Sequence, residues 1–329
     1  MMSKVKARIL TEDDHDQWDR LVGRSEHGTI FHSSAWITTS AKVLHFDYVI
    51  IGVFNGTELI GGCVFYIKTL FSVLKIGYTN IPLTPWGGFV LSMPKSNNKI
   101  HRSEVREREI IFLILEKIQT LNLLHITIVN SPAFNDIRPI KWQGWTESVF
   151  YSYIVSLDND IFLNFSSNTR ARIRKSRKLG ITVKKEYDPY LFWKLAELTY
   201  RKQNMEIPFQ KEHLFKLMEM LKQNNLGEMW IAEMPTGEAI SAVFNIYDTH
   251  LAFSWLGANN PQFKNTGVTS LLLFETYKDL KTRGFHRVNL MGANVFNLAS
   301  FYSEFNPRLV PYYGVQVKKR MKRLLNLMG

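Results

Sequence analysis

Six residues, Lys264-Asn265-Thr266-Gly267-Val268-Thr269, stand directly ahead of an apolar-striped helical stretch and are the part of this chain best suited to holding an anion. Backbone amides at a helix N-terminus point outward unpaired, and together with the helix dipole they form an anion site. Gly267 lets the main chain approach a phosphate closely, and Lys264 adds positive charge. A glycine ahead of a helix also fits a plain turn, so the weight of this segment comes from its place in the chain.

That place is the second copy of a repeated unit. Ile51-Gly52-Val53-Phe54-Asn55-Gly56-Thr57-Glu58-Leu59-Ile60-Gly61-Gly62 lines up with Ile231-Ala232-Glu233-Met234-Pro235-Thr236-Gly237-Glu238-Ala239-Ile240-Ser241-Ala242. Each reads as strand, tight turn with Gly, strand. A helical stretch and a further strand follow each, His125-Ile126-Thr127-Ile128-Val129 in one and His286-Arg287-Val288-Asn289-Leu290 in the other. In the first copy residues 96–108 fill the place of the loop and contain no glycine. Two similar lobes are expected, with only the second keeping a phosphate loop.

The elements that must position the loop follow from periodicity. Trp18, Leu21 and Val22 share one helical face, and Gly28 ends that pattern. Residues 105–124 read as a helix with Ile110, Leu113, Ile114, Ile118 and Leu121 at helical spacing, residues 132–144 as irregular, and 150–155 as a strand. Ser166-Ser167-Asn168-Thr169 forms an N-cap cluster opening a basic helix that Gly180 stops. Helices are expected over 190–202, 211–223 and 269–283, and strands over 229–234, 239–247 and 250–256.

The chain has 329 residues, enough for about two domains that each bury a core unaided. Cys63 is the single cysteine, so no internal disulfide forms. No secretory signal or apolar run of membrane-spanning length occurs, and a cytoplasmic location is expected. The net charge of +12 is concentrated in Arg170, Arg172, Arg174, Lys175, Arg177, Lys178, Lys184 and Lys185, and again in Lys318, Lys319, Arg320, Lys322 and Arg323. Such fields attract nucleic acid, nucleotide phosphates or anionic lipid headgroups, although a solvated helix face and a basic tail would look the same. No Cys/His metal spacing and no serine-elbow motif occurs, so neither metal nor covalent-serine chemistry is expected.

The order hairpin, strand, Lys264-x-x-Gly267-x-Thr269, helix, strand, then Asn294 and Ala299-x-Phe301-Tyr302-x-x-Phe305 resembles the acyltransferase fold of the GNAT superfamily. Three further segments narrow the resemblance to FemAB-type transferases and their BioF2-like acetyltransferase relatives. They are Gly28-Thr29-Ile30-Phe31-His32-Ser33-Ser34-Ala35-Trp36, Pro82-Leu83-Thr84-Pro85-Trp86-Gly87-Gly88 and the basic stretch from Asn168 to Ile181. The resemblance covers nearly the whole chain. It implies an α/β (α+β) fold of two GNAT-like lobes, each a mixed, mostly antiparallel sheet flanked by helices. Residues 1–156 would form the acceptor-side lobe, and 157–329 the basic linker helix plus the donor-side lobe.

The resemblance also implies N-acyl transfer, with acyl-coenzyme A as co-substrate held at residues 264–269 and Tyr302 protonating the departing thiolate. The general GNAT pattern has Arg or Gln where Lys264 stands, and Gly or Ala where Thr269 stands. The tRNA-dependent peptidoglycan members carry a lysine at the position of Tyr302, and its absence moves weight from aminoacyl-tRNA to an acyl thioester. The acceptor implied is an amine of a small molecule or of a cell-envelope, glycan or peptide precursor. Two alternatives stand beside this reading. One is an aminoacyl-tRNA-dependent FemAB-type enzyme whose basic helix grips tRNA; the other is a non-catalytic RNA- or membrane-surface-binding protein on a transferase scaffold. Trp36, Trp86 and Trp255 could wall an acceptor cleft, and Arg201, Gln203 and Phe301 could line the substrate pocket. Large aromatics are also ordinary core material, and Arg201 and Gln203 also fit a helix C-terminus. Glu206, Asp248, His250 and Glu275 are candidate bases that spacing does not rank.

Overall fold

Alternating apolar residues on either side of Asn55-Gly56 and of Gly237 produce two antiparallel hairpins, each turned by a glycine at positive φ, +64° at Gly56 and +83° at Gly237. The computed structural model describes residues 5–71, 73–92 and 100–318. Along the chain run β1 (Lys6–Ile9), α1 (His15–Arg24), α2 (Ser34–Leu44), β2 (Asp47–Asn55), β3 (Glu58–Leu70), β4 (Leu74–Tyr78) and β5 (Gly88–Leu91). Then come α3 (Ile100–Gln119), β6 (His125–Val129), α4 (Arg138–Lys141), β7 (Thr146–Ser156), α5 (Ile161–Asn164), α6 (Ser167–Lys178) and β8 (Thr182–Lys185). The remainder is α7 (Pro189–Lys202), α8 (Lys211–Gln223), β9 (Gly227–Glu233), β10 (Ala239–Tyr247), β11 (Ala252–Asn259), α9 (Val268–Thr282), β12 (Arg287–Met291), α10 (Phe296–Ser303) and β13 (Arg308–Lys318).

Two compact units result, Met1–Phe150 with Tyr312–Gly329, and Tyr151–Pro311. The division falls six residues before the 156/157 boundary read from the sequence, and the chain from Tyr312 onward groups with the first unit. The first unit orders its strands β1-β2-β3-β4-β6-β13, with β5 also paired to β3. The second orders its strands β8-β9-β10-β11-β12-β7. In both, one parallel pair, β4 with β6 and β11 with β12, sits in an otherwise antiparallel sheet. The strand that completes each sheet comes from the other repeat: β13 closes the first beside β6, and β7 closes the second beside β12.

Strand alternation sets which helices cover which face. In the first unit Ile51 and Phe65 face α3, burying Ile110, Ile114 and Ile118, while Ile50, Val64 and Tyr66 face α1 and α2 with Trp18, Leu21 and Ile37. In the second unit α9 covers the sheet with Leu271, Leu272, Phe274, Tyr277 and Leu280. Each such side chain, fully buried, contributes about 1.5–3 kcal/mol. The N-cap cluster behaves as read: Ser166 Oγ accepts from the amide of Thr169 at 3.1 Å, opening α6. The stretch expected to be irregular contains the short helix α4, and the helix read over 105–124 lies at Ile100–Gln119. Of residues 96–108, 96–99 lie outside the described residues.

Candidate functional site

The site is prepared by two strands that part. The parallel partners β11 and β12 are in register only at Ala252–Val288 and Phe253–Asn289. Beyond that point β11 continues to Asn259 and β12 to Met291, leaving a wedge between them. Both strands carry irregularities that bend them. The register of β10 with β11 shifts between Phe244 and Asn245, placing an extra residue, Trp255, on β11. That of β12 with β7 shifts between Asn289 and Met291, and Met291 and Gly292 both take positive φ.

From β11 the chain makes a 3-10 turn, Pro261–Thr266, and enters α9 through Gly267 at φ +81°. Asn260 starts the turn by accepting from the amide of Gln262 at 3.1 Å. Asn259 ties the elements together. Its Oδ1 accepts from Ser241 Oγ of β10 at 2.6 Å and from Thr269 Oγ1 of α9 at 2.8 Å. Its backbone amide and carbonyl both bond the Thr199 hydroxyl of α7 at 2.9 Å. Sequence reasoning missed this residue, because a single Asn at a strand end carries no mark of four converging elements.

A cleft of about 510 Å³ opens at the N-terminus of α9. Lys264, Asn265, Gly267, Val268 and Thr269 line it, joined by Ser270, by Ala171, Arg172 and Lys175 of α6, and by Phe301 of α10. Five of the six residues of the candidate loop and Phe301 therefore meet in one place. Thr266 instead donates its hydroxyl to the Phe263 carbonyl at 2.6 Å. Lys175 and Lys264 have no ion-pair partner among the described residues, whereas Arg172 is paired with Glu304 and lies 5.8 Å over the Phe301 ring. Two unpaired ammonium groups beside the amide end of a fifteen-residue helix make the cleft electropositive. The Ser270 hydroxyl, buried at its edge, has no hydrogen-bond partner among the described residues.

Gly267 has a packing duty that its sequence context did not show. A Cβ there would sit 2.6 Å from the Arg172 carbonyl oxygen and 2.8 Å from the Arg172 Cβ. The close approach of α6 to the start of α9 thus itself requires glycine, independently of any ligand.

Tyr302 lies half-buried on α10, packed against the second unit's core and 5.6 Å from Phe301. Its hydroxyl makes no hydrogen bond among the described residues, and burial pushes its pKa up to about 12. The phenol is therefore protonated at neutral pH and free to donate. Arg201 and Gln203 are exposed at the C-terminal end of α7, the end that Thr199 fastens to Asn259.

The tryptophans behave as core. Trp36 and Trp86 are buried in the first unit around Phe31, with ring centroids 4.8 and 5.6 Å from it. Trp36 Nε1 donates to Thr84 Oγ1 at 2.8 Å, so the two first-lobe motifs bind each other. Trp255 is buried in the second unit, 5.8 Å from Phe244. Among the candidate bases, Asp248 accepts from the amides of His250 and Leu251 in a turn, and Glu275 is paired with Arg177 and Lys278. Glu206 is exposed.

The basic helix is largely consumed within its own unit. Arg170 donates to the carbonyls of Leu163 and Phe165, at 2.9 and 2.6 Å. Arg174 lies 5.3 Å over Phe162, and Arg177 pairs with Glu275 at 2.8 Å. Lys184 pairs with Glu186 and Glu233, and Lys185 with Glu228 and Asp279. The second basic run ends β13 at Lys318; Lys319, Arg320, Lys322 and Arg323 lie outside the described residues. Among the described residues no His/Cys/Asp/Glu group could hold a metal ion, and no helix is long and apolar enough to cross a membrane.

Residues 164–297, which hold the parted parallel pair, the turn with glycine and α9, match the family model described as Acetyltransferase (GNAT) domain. Residues 164–297 thus carry a GNAT acetyltransferase domain, and along its length the chain shares the fold of FemAB/GNAT-type structures. It is similar over 94% of its length to FemX, covering 96% of that chain at 12% identity with a TM-score of 0.72. A tandem GNAT protein from the clavulanic acid biosynthesis pathway matches 96% of this chain and 98% of its own, at 11% identity and a TM-score of 0.58. L-PGS from Bacillus licheniformis matches 98% and 96%, at 14% identity and a TM-score of 0.54. At these identities the likeness is one of fold. No curated protein matches the sequence.

Proposed function

We propose that the chain is an N-acyltransferase that moves an acyl group from acyl-coenzyme A to an amine. The donor phosphates bind at residues 264–269 and the first unit serves the acceptor. The observation that carries this reading is the meeting, in one cleft, of the α9 N-terminus with Lys175, Lys264 and Phe301, the last on the helix that holds Tyr302. Nucleotide phosphates match that field, and the wedge between β11 and β12 gives an extended thioester arm room between two parted strands.

In the reaction the acceptor nitrogen attacks the thioester carbonyl carbon. A C–N bond forms, the C–S bond breaks, and the sulfur leaves with the bonding pair while the nitrogen gives up a proton to solvent. Tyr302 donates a hydrogen bond to the sulfur as charge develops. Its pKa of about 12 lies above that of a thiol, near 8.5, so stabilisation of the thiolate is worth more than outright proton transfer. We place the acceptor among amines of cell-envelope or glycan precursors, a reading that the fold shared with FemX and L-PGS supports. A cytoplasmic location goes with it.

Native mass spectrometry of the purified protein, incubated with coenzyme A and with tRNA, tests the donor. A bound coenzyme A mass with modest salt dependence is expected. Tight tRNA binding that collapses between low and moderate salt, with no affinity for coenzyme A, would overturn the reading in favour of aminoacyl-tRNA.

A further inference from the structure

An unusual helix follows β12. The sequence of α10, Phe-Asn-Leu-Ala-Ser-Phe-Tyr-Ser, carries no charge, yet none of its eight residues is buried. Phe296 is 83% exposed, Val295 just before it 54%, Leu298 41%, and Leu309 at the start of β13 50%. A soluble surface rarely spends large apolar side chains this way without a partner. The charge around them has one sign. Between Arg287 and Lys318 the single acid is Glu304, and it is already paired with Arg172. Arg308, next to Leu309, is exposed and has no ion pair among the described residues. Lys175 and Lys264 stand beside Phe301, on the same helix.

We propose that α10 and the adjoining Arg308-Leu309 dock on an anionic lipid surface. Phe296, Val295, Leu298 and Leu309 would enter below the headgroups, and Arg308 would meet their phosphates. A second copy of the chain fits this face poorly. A two-fold contact would set the same cations against one another with no acid to offset them. The docking stands apart from the assignment of the acyl donor. If both hold, the helix bearing Tyr302 works at a bilayer surface and the amine it serves is borne on a lipid.

The test is co-sedimentation with phosphatidylglycerol/phosphatidylcholine vesicles and with phosphatidylcholine vesicles alone. Wild-type protein is expected to bind the anionic vesicles preferentially. The double variant Phe296→Ser, Leu298→Ser should lose about tenfold or more in partitioning, and Arg308→Gln about fivefold. Their melting temperatures should stay at the wild-type value, since these side chains are exposed. A solvatochromic dye on Phe296→Cys should blue-shift with anionic vesicles. The native Cys63 is buried, with its thiol pushed well up in pKa by burial, and will not compete for the label. The proposal is overturned if wild type ignores anionic vesicles, or if the serine variant binds them equally. It is also overturned if the dye does not respond while the protein is bound, or if light scattering shows a dimer that Phe296→Ser dissolves. Coenzyme A affinity, measured on the same variants, should not move, so a failure here leaves the donor reading standing.

Discussion

Gly267 and Lys264 share a loop, yet the structure predicts that changing them does different things. Gly267→Ala places a methyl 2.6 Å from the Arg172 carbonyl oxygen on a backbone held at φ +81°. The left-handed conformation costs a residue with a Cβ about 1–2 kcal/mol. Forcing α6 and α9 apart to relieve the contact costs roughly 1–3 kcal/mol more. The sum, about 2–5 kcal/mol, should lower the melting temperature of the second unit by roughly 5–15 °C. Lys264→Gln and Lys175→Gln touch no packing. Each removes one cation from an open, partly solvated cleft, where a unit charge about 4 Å from a phosphate contributes between ~1 and ~2 kcal/mol, so affinity for coenzyme A should fall about five- to thirtyfold at an unchanged melting temperature. Calorimetric titration with coenzyme A, paired with thermal unfolding of each variant, separates the two effects. If Gly267→Ala melts with the wild type, the packing argument is wrong. If both lysine variants bind coenzyme A undiminished, the phosphates lie elsewhere.

Two further outcomes are expected. Tyr302→Phe should cut single-turnover acyl transfer by roughly 10²–10³-fold, the worth of one transition-state hydrogen-bond donor, with coenzyme A affinity and melting temperature held, because the hydroxyl bonds no described residue; a variant with full turnover returns Tyr302 to the core. Acid should weaken the first unit, because burial holds His27 and His32 down at about 4. Below the unfolded value near 6.5 the unfolded chain takes up protons that the fold refuses, so stability is flat above that pH and falls as pH drops toward 4. The loss is about 2 kcal/mol per histidine by pH 5, and a urea midpoint that does not change between pH 7 and pH 5 would refute it.

The sequence disclosed those elements whose pattern is local. Asn55-Gly56 and Gly237 mark turns chemically, and α8 and β10 fall on the ranges expected of them, Lys211–Gln223 and Ala239–Tyr247. Short strands left too little pattern to see: β4 has five residues, β5 and β8 four each. The trading of final strands between repeats was invisible, since β13 finds β6 nearly two hundred residues earlier and nothing in Arg308–Lys318 names that partner. The site divided along the same line. The loop at 264–269 was legible because an amide-first helix with glycine is a local arrangement. Whether a tryptophan packs or lines a wall depends on its neighbours, and Trp36 and Trp86 found Phe31. Whether an arginine is free depends on distant acids, and Arg172 and Arg177 found Glu304 and Glu275.

Why only one repeat offers an opening follows from how its third strand leaves the sheet. In the first unit β4 stays beside β6. Beyond it the Thr79 amide still reaches the Thr127 carbonyl at 3.1 Å, and Thr79 Oγ1 bonds both the amide and the carbonyl of Val129. The chain then folds back, with the Gly87 amide donating to the Val129 carbonyl at 3.0 Å and the Phe89 amide to Asn130 Oδ1 at 3.2 Å, before β5 pairs with β3. The edge that a ligand's amides and carbonyls would need is therefore spent on the protein's own backbone. In the second unit the register shift at Trp255 parts β11 from β12 after Phe253, no returning strand fills the gap among the described residues, and the chain runs through the turn at Pro261–Thr266 and Gly267 into α9. The repeat kept the same strand order in both halves, but a helix N-terminus beside parted strands arises where β11 departs early.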